Sequence, residues 1–319
     1  MSALVALNLS GLSGLSNGEE IDTPIGDTGQ PVAVHSYPYG VDIPPEAQEG
    51  WVRVSDFGAR PNDGADDTAA FRKTFAEALR RQDELRDSAI TVLIPAGVYN
   101  LSDTLAYAEN ANDGGLNLVG EERKITILRL DDQAPGFDDP ERPKPIIEFW
   151  TGQKDRGVRG GGMAFHNYVR NLTVDSGKGN PGAVGIDFYN HNVGGVRNVT
   201  IRSSDGAGVA GLAFSEHKSG VGFHWNLRVE GFAVGISGAG RNDNGYTLRD
   251  IELVGQTSAA IEVGRKWLTV HRLRYEGTAP LVRMDKRHSV LALLDVDARN
   301  TGDKSPKPLD YSNGTLFVQ

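Results

Sequence analysis

Five short polar segments recur along the second half of the chain and hold most of its chemistry-capable side chains. They read YNHNVGG from Tyr189, SEHKSG from Ser215, GRNDNG from Gly240, GRKWL from Gly264 and MDKRHS from Met284. Glu216, Asp243 and Asp285 supply carboxylates, and Glu262 lies just upstream of the fourth segment. Glycosidic hydrolysis ordinarily needs two carboxyl groups, about 5–5.5 Å apart for retention and roughly 6.5–9.5 Å for inversion. Glu216 with Asp243 is the first candidate catalytic pair, and Glu262 with Asp285 the second. Tyr189, His191, His217, Lys218, Arg241, Arg265, Trp267 and His288 are the candidate substrate-binding groups. Trp267 can stack on a sugar ring or pack against a neighbouring strand. The plainer reading is that these segments are polar because loops meet water and that their acids neutralise nearby cations. Lys218, Arg241, Arg265, Lys266, Lys286 and Arg287 outnumber Glu216, Asp243 and Asp285. That local excess favours an anionic glycan over a neutral one.

A second cluster of acids, Asp56, Asp63, Asp66 and Asp67, lies in VSDFGARPNDGADDTAAFRKTFAEAL from Val54. Apolar residues at helical spacing follow from Thr68 to about Arg86, so Asp66 or Asp67 falls at an N-cap, where a carboxylate accepts free backbone N–H groups. The cluster starts a helix rather than building a metal site. Asp131, Asp132, Asp138 and Asp139 offer hard oxygen ligands for Ca²⁺, but their spacing matches no Ca²⁺ loop. The seven histidines show no zinc spacing.

The segments must be positioned by something periodic. VRNLTVD, VRNVTIR, HWNLRVE, LRDIELV, VHRLRYE and LALLDVD align Leu172, Val199, Leu227, Ile251, Leu273 and Leu294 as core positions. A second set aligns Ile186, Leu212, Ile236, Ile261 and Val282. Two alternating strands per repeat of twenty-odd residues describe a β-solenoid, best fitted by a right-handed parallel β-helix. Loops after equivalent strands then stack in one column. Asn171, Asn198 and Asn226 are expected to stack as an internal amide ladder at a bend of the coil. Residues 1–50, rich in Pro, Gly and acids, read as an arm or linker. Residues 51–319 form one β-helix domain, capped at its N-terminal end by the helix at about 68–86. LDYSNGTLFVQ, from Leu309, reads as a further turn and strand with no capping helix after it. A second β-helix domain or self-association is the expected cover there.

The run from Val54 through TVLIPAGVYNLSDTL and GLNLVGEERKITIL resembles the opening signature of the pectate-lyase superfamily β-helix domain, shared by rhamnogalacturonase-like and epimerase-like proteins. The rung pattern is most similar to the first β-helix of family 55 glycoside hydrolases, which act on β-1,3-glucan. The resemblance implies a polysaccharide or oligosaccharide partner and a secreted, extracellular location. It leaves three readings open: a hydrolase, a lyase or epimerase acting on a uronate polymer with Ca²⁺, or a non-catalytic glycan-binding or tailspike-like module, including half of a tandem enzyme. A hydrolase needs no cofactor.

Composition narrows the field further. A formal charge of −9 argues against general nucleic-acid or anionic-membrane binding. No cysteine is present, so thiolate chemistry is excluded. No apolar run approaches the ~18 residues of a membrane span. MSALVALNLSGLSGLS, from Met1, is apolar but lacks a basic start and makes a poor signal peptide.

Overall fold

The computed structural model describes residues 50–84, 89–107, 115–149, 152–153, 158–159, 165–214, 221–239, 245–300 and 309–319. Contacts divide the chain after Ile43, and every described residue belongs to the second unit, Pro44–Gln319. The N-terminal arm and the apolar start lie outside the described residues.

The second unit is a parallel β-solenoid of about seven turns. One sheet is built from long strands: Asn167–Asp175, Gly194–Arg202, Gly222–Glu230, Gly245–Val254, Trp267–Gly277 and Val290–Asn300. The facing sheet is built from short strands, among them Ala183–Asp187, Ala210–Ala213, Val234–Gly238, Ala259–Val263 and Val282–Met284. The β-branched and leucine side chains of each strand alternate inward, and one continuous apolar core runs between the sheets.

The register tests the repeat alignment directly. Ile186, Leu212, Ile236, Ile261 and Val282 pair in succession, as expected. Leu172, Val199, Leu227, Ile251 and Leu273 also pair in succession, but Leu273 meets Val296, and Leu294 meets His271. The last rung was therefore aligned two residues early. Its LALL run offers several equivalent apolar choices, and only the bend at Asp295 (φ 59°) fixes which one is buried.

The helix α1 spans Thr68–Glu84. It buries Phe71, Phe75 and Ala78 on the first turns, with the Phe71 ring edge-on to Tyr99 at 5.5 Å and Phe75 edge-on to Tyr107 at 6.3 Å. Its start is held by carboxylates. Asp66 accepts from the Thr68 N–H at 2.9 Å and from the Ser102 hydroxyl at 2.7 Å, and Asp67 accepts from the Arg60 N–H at 2.8 Å. Asp63 closes its own turn through the Ala65 N–H at 2.9 Å. These acids are architecture.

At the far end Leu309–Tyr311 and Thr315–Val318 add parallel strands to the two sheets. Among the described residues no helix is long and apolar enough to cross a membrane.

Candidate functional site

The structure describes part of the predicted loop column. Glu216, His217, Lys218, Arg241 and Asp243 lie outside the described residues. Tyr189 is fully buried in the core, so its ring is a packing group and not a surface platform. His191 packs edge-on against Phe165 at 5.3 Å. Lys266, counted above among the loop cations, is fully buried with its ammonium 5.9 Å from the Tyr246 ring centroid. Glu262 sits in mid-strand, where its register partner Arg283 approaches to 3.7 Å. Asp285 lies past the end of the next strand and pairs with Lys286 at 2.9 Å. Trp267 is half exposed and donates from Nε1 to the His288 carbonyl at 3.2 Å, with His288 and Arg265 exposed nearby in sequence.

Among the described residues a concentrated charged site lies where each long strand bends. The bend turns on one left-handed residue per rung: Asn171, Asn198, Asn226, Asp250, Arg272 and Asp295, with φ between 53° and 59°. The register stacks these six in one column. Its first half is the expected amide ladder. Asn198 donates to the Asn171 carbonyl and Asn226 to the Asn198 carbonyl, each at 3.0 Å. The ladder is half-buried on the outside of the coil and not internal, because the bend turns two successive residues outward, as at Trp225 and Asn226.

From the fourth rung the column changes character and borders a groove of about 430 Å³. Asp250, Arg272 and Asp295 alternate in sign, and so do Glu252, Arg274 and Asp297 two residues further along the same strands. In-register strands lie about 4.8 Å apart, so like charges in adjacent rungs would repel and alternation removes that cost. Arg272 grips Asp250 with two nitrogens, one of them 2.6 Å from Oδ2. Trp225 Nε1 donates to the same Oδ2 at 2.6 Å. Burial pushes the Asp250 carboxyl up, but the hydrogen bonds from Arg272 and Trp225 outweigh it and hold the group below its ordinary value. Asp250 is therefore an anion near neutrality. Asp295 makes no side-chain hydrogen bond or ion pair among the described residues. Arg123 closes the amide end of the groove. It comes from the loop between strands Leu116–Gly120 and Thr126–Leu130, where the early turns open the bend. Its guanidinium donates to the Thr200 hydroxyl at 2.8 Å and to Asn226 Oδ1 at 3.1 Å.

The groove was visible in part. The alignment that stacks the three asparagines places Asp250 and Arg272 next in the same column. The signal missed was that the bend gathers opposite charges within the strands. For a metal, Asp132 is taken by Arg129 at 2.5 Å and Asp139 by Arg142 at 2.6 Å. Among the described residues no group of three or more His, Asp or Glu is placed to hold an ion.

Several solved structures are similar to this chain at low identity. The catalytic unit of a GH87 α-1,3-glucanase from Streptomyces thermodiastaticus is similar at a TM-score of 0.50 and 17% identity, over 84% of this chain. This chain spans about half of that unit, 47%. The phiAB6 tailspike, solved with oligosaccharides of Acinetobacter baumannii surface polysaccharide, is similar at 0.39 and 15%, covering 91% of this chain and 52% of the tailspike. The mannuronan C-5 epimerase AlgE4 A-module of Azotobacter vinelandii follows at 0.34 and 12%, covering 84% and 96%. No curated protein matches the chain by sequence. Residues 51–278 match the family model described as rhamnogalacturonase A/epimerase, pectate lyase-like, and the chain belongs to that family of carbohydrate-active β-helices.

Proposed function

We propose that the chain is a secreted polysaccharide hydrolase that works in the bend groove, with Asp250 and Asp295 as its carboxyl pair. The observation that carries this reading is their placement in one column, two rungs apart, with Arg272 between them. Two rungs separate their backbones by roughly 9.6 Å, near the upper end of the ~6.5–9.5 Å carboxyl spacing that leaves room for the water of inversion. Asp250, held ionised by Arg272 and Trp225, takes the proton of the attacking water. Asp295 is assigned the second role, delivery of a proton to the leaving glycosidic oxygen as the C–O bond breaks. The exposed ring of Trp225 supplies a stacking face beside the pair. The glucanase fold and the family support carbohydrate as the ligand class.

A second reading, glycan binding without chemistry, is favoured by one observation. Among the described residues Asp250, Glu252 and Asp297 are each tied to an arginine. Release of new reducing ends, measured over a panel that includes β-1,3-glucan and polygalacturonate with and without calcium, separates the readings. The hydrolase reading expects release from at least one polymer and a loss of about a hundredfold or more in Asp295→Asn. Binding with no release moves the assignment to the binding module. Unsaturated, calcium-dependent products move it to a lyase.

A further inference from the structure

Many arginines on this surface find carboxylates: Arg72 pairs with Asp103 at 2.7 Å, Arg129 with Asp132 at 2.5 Å, Arg202 with Asp175 at 2.7 Å. The outer face of the long strands, just before the bend, gathers arginines without such partners. Arg170, Arg197, Trp225 and Arg249 stand in register there, one per rung. Arg170 lies over the Tyr168 ring at 3.9 Å from its centroid, and Arg197 over the same ring at 4.7 Å. Arg197 also reaches the Phe223 ring at 5.8 Å. Neither Arg170 nor Arg197 has a carboxylate partner among the described residues, and the Nε of each is buried without a hydrogen bond. Arg249 touches an acid only distantly, Asp250 at 3.7 Å.

Two guanidiniums thus share one aromatic ring with no anion between them. Stacking pins them, while their mutual repulsion is left unrelieved. Gly195, between Tyr168 and Phe223 in the neighbouring column, keeps the rungs close, because a Cβ there would overlap the Phe223 carbonyl oxygen and stand 3.7 Å from Arg197 Nε. The charge of Arg197 is felt inside the coil, where it adds to burial in depressing the His224 imidazole. A purely structural role for these arginines would be served better by acids, as it is at Arg72, Arg129 and Arg202. A fixed, unneutralised guanidinium presents its free edge for bidentate binding of an incoming anion.

We propose that this strip binds an acidic polysaccharide lengthwise, its charged groups on Arg170, Arg197 and Arg249 and its rings against Phe223 and Trp225. From Arg170 to Arg249 the strip runs three rungs, about 14 Å, and it leads to the groove through Trp225. The proposal rests on the reading that the ligand is a polysaccharide and adds its charge and the surface that holds it. Shape and chemistry suit a polymer with spaced anions. A chain of formal charge −9 disfavours duplex nucleic acid as the occupant, with a phosphate for every ~1.7 Å of axis.

The test is binding of the whole chain to polygalacturonate, dextran sulfate, neutral β-1,3-glucan and single-stranded poly(dT), each at 50 and 500 mM salt. Polygalacturonate is expected to bind at least tenfold more tightly than the neutral glucan, and to weaken tenfold or more at the higher salt. Arg170→Gln with Arg197→Gln, which keeps stems and donors but removes charge, should erase that preference and leave thermal stability and any release from a neutral glycan unchanged. Arg→Lys at both sites should restore only part of it, since lysine lacks the fork. Equal binding of neutral and acidic polymers, or unaltered binding by the Gln variant, overturns the strip. Tighter binding of poly(dT) overturns its occupant, and dextran sulfate above polygalacturonate shifts the anion from carboxylate to sulfate. The two proposals fail separately. Charge-selective binding with no hydrolysis of any polymer removes the hydrolase reading alone, and hydrolysis without charge preference removes the strip alone.

Discussion

The two halves of the bend column occupy the same backbone position and do opposite things with it. Asn171, Asn198 and Asn226 fill the left-handed site with a residue that tolerates it and bond to one another. Asp250, Arg272 and Asp295 fill it with charge. Arginine gains nothing locally from a φ of 56°, which costs an L-residue about 1 kcal/mol or more. An asparagine at position 272 would extend the ladder more cheaply. The charged half is therefore held at some cost to stability, in the stretch of the column that borders the groove. The contrast separates what the bend needs, a left-handed residue, from what the groove adds.

The largest expected effect comes from erasing that contrast. Replacing Asp250 and Arg272 together by asparagine should lengthen the ladder and leave stability within about 1 kcal/mol of the parent, since a half-exposed ion pair is worth little and the strain at 272 is relieved. Release of reducing ends should fall by about a hundredfold or more. A variant that keeps full activity would make the charged half mere lattice. A variant that does not fold would show that the ion pair, not the αL residue, sets the bend.

A smaller effect separates the column from the core beneath it. His224, on the last amide rung, is fully buried among Phe188, Phe214 and Tyr246. Its Nδ1 accepts from the Val196 N–H at 3.1 Å, so the proton is on Nε2. Burial first, and the Arg197 charge second, lower it to about 3. The unfolded chain binds this proton below about pH 6.5 while the folded chain does not until about 3, so stability must fall as pH drops through that window. The slope approaches about 1.4 kcal/mol per pH unit, or roughly 2.5 kcal/mol between pH 6.5 and 4.5. Denaturant midpoints across that range check it, and His224→Gln, which keeps an acceptor for Val196, should flatten the curve. The Asp250–Arg272 pair acts in the same direction but lower in pH: Asp250 is held below its ordinary value of 3.8, so its contribution is lost only as pH falls toward and below that value, under the range of that test.

How much of this could be read without coordinates follows the same division. Periodicity carried the coil, the capping helix and the register of the short strands, because a period of two with β-branched residues leaves little choice about which side faces in. It carried the amide ladder because three asparagines repeat before aligned core residues. It lost the last long rung, where LALL offers apolar residues in both registers and the deciding fact is the φ of Asp295. It pointed to the loops as a place for chemistry and gave no sign of the groove at the bend, whose charges sit inside the strands. Glu262 and Asp285 look like a pair by spacing, yet each meets a cation first. The Arg170–Tyr168–Arg197 stack was illegible for another reason. Nothing in YVRNLTVD or VRNVTIR marks an arginine as lacking an acid until the strands lie side by side.

The smallest effect bears on what the amide half contributes by itself. Asn198 stands in the middle of the ladder, donating to Asn171 and accepting from Asn226. Asn198→Ala removes both bonds and places a Cβ-bearing residue without a compensating side chain at φ 54°. Together these should lower stability by about 2 kcal/mol. Asn198→Gly removes the same bonds but accepts the left-handed backbone freely, so it should lose only about 1 kcal/mol. The difference between the two midpoints isolates the backbone term from the amide bonds. If glycine proves as costly as alanine, the bend is held by the side-chain ladder and the left-handed conformation is its consequence. If glycine is neutral, the ladder contributes nothing, and asparagine is there only because it tolerates the turn that Arg272 adopts at a cost.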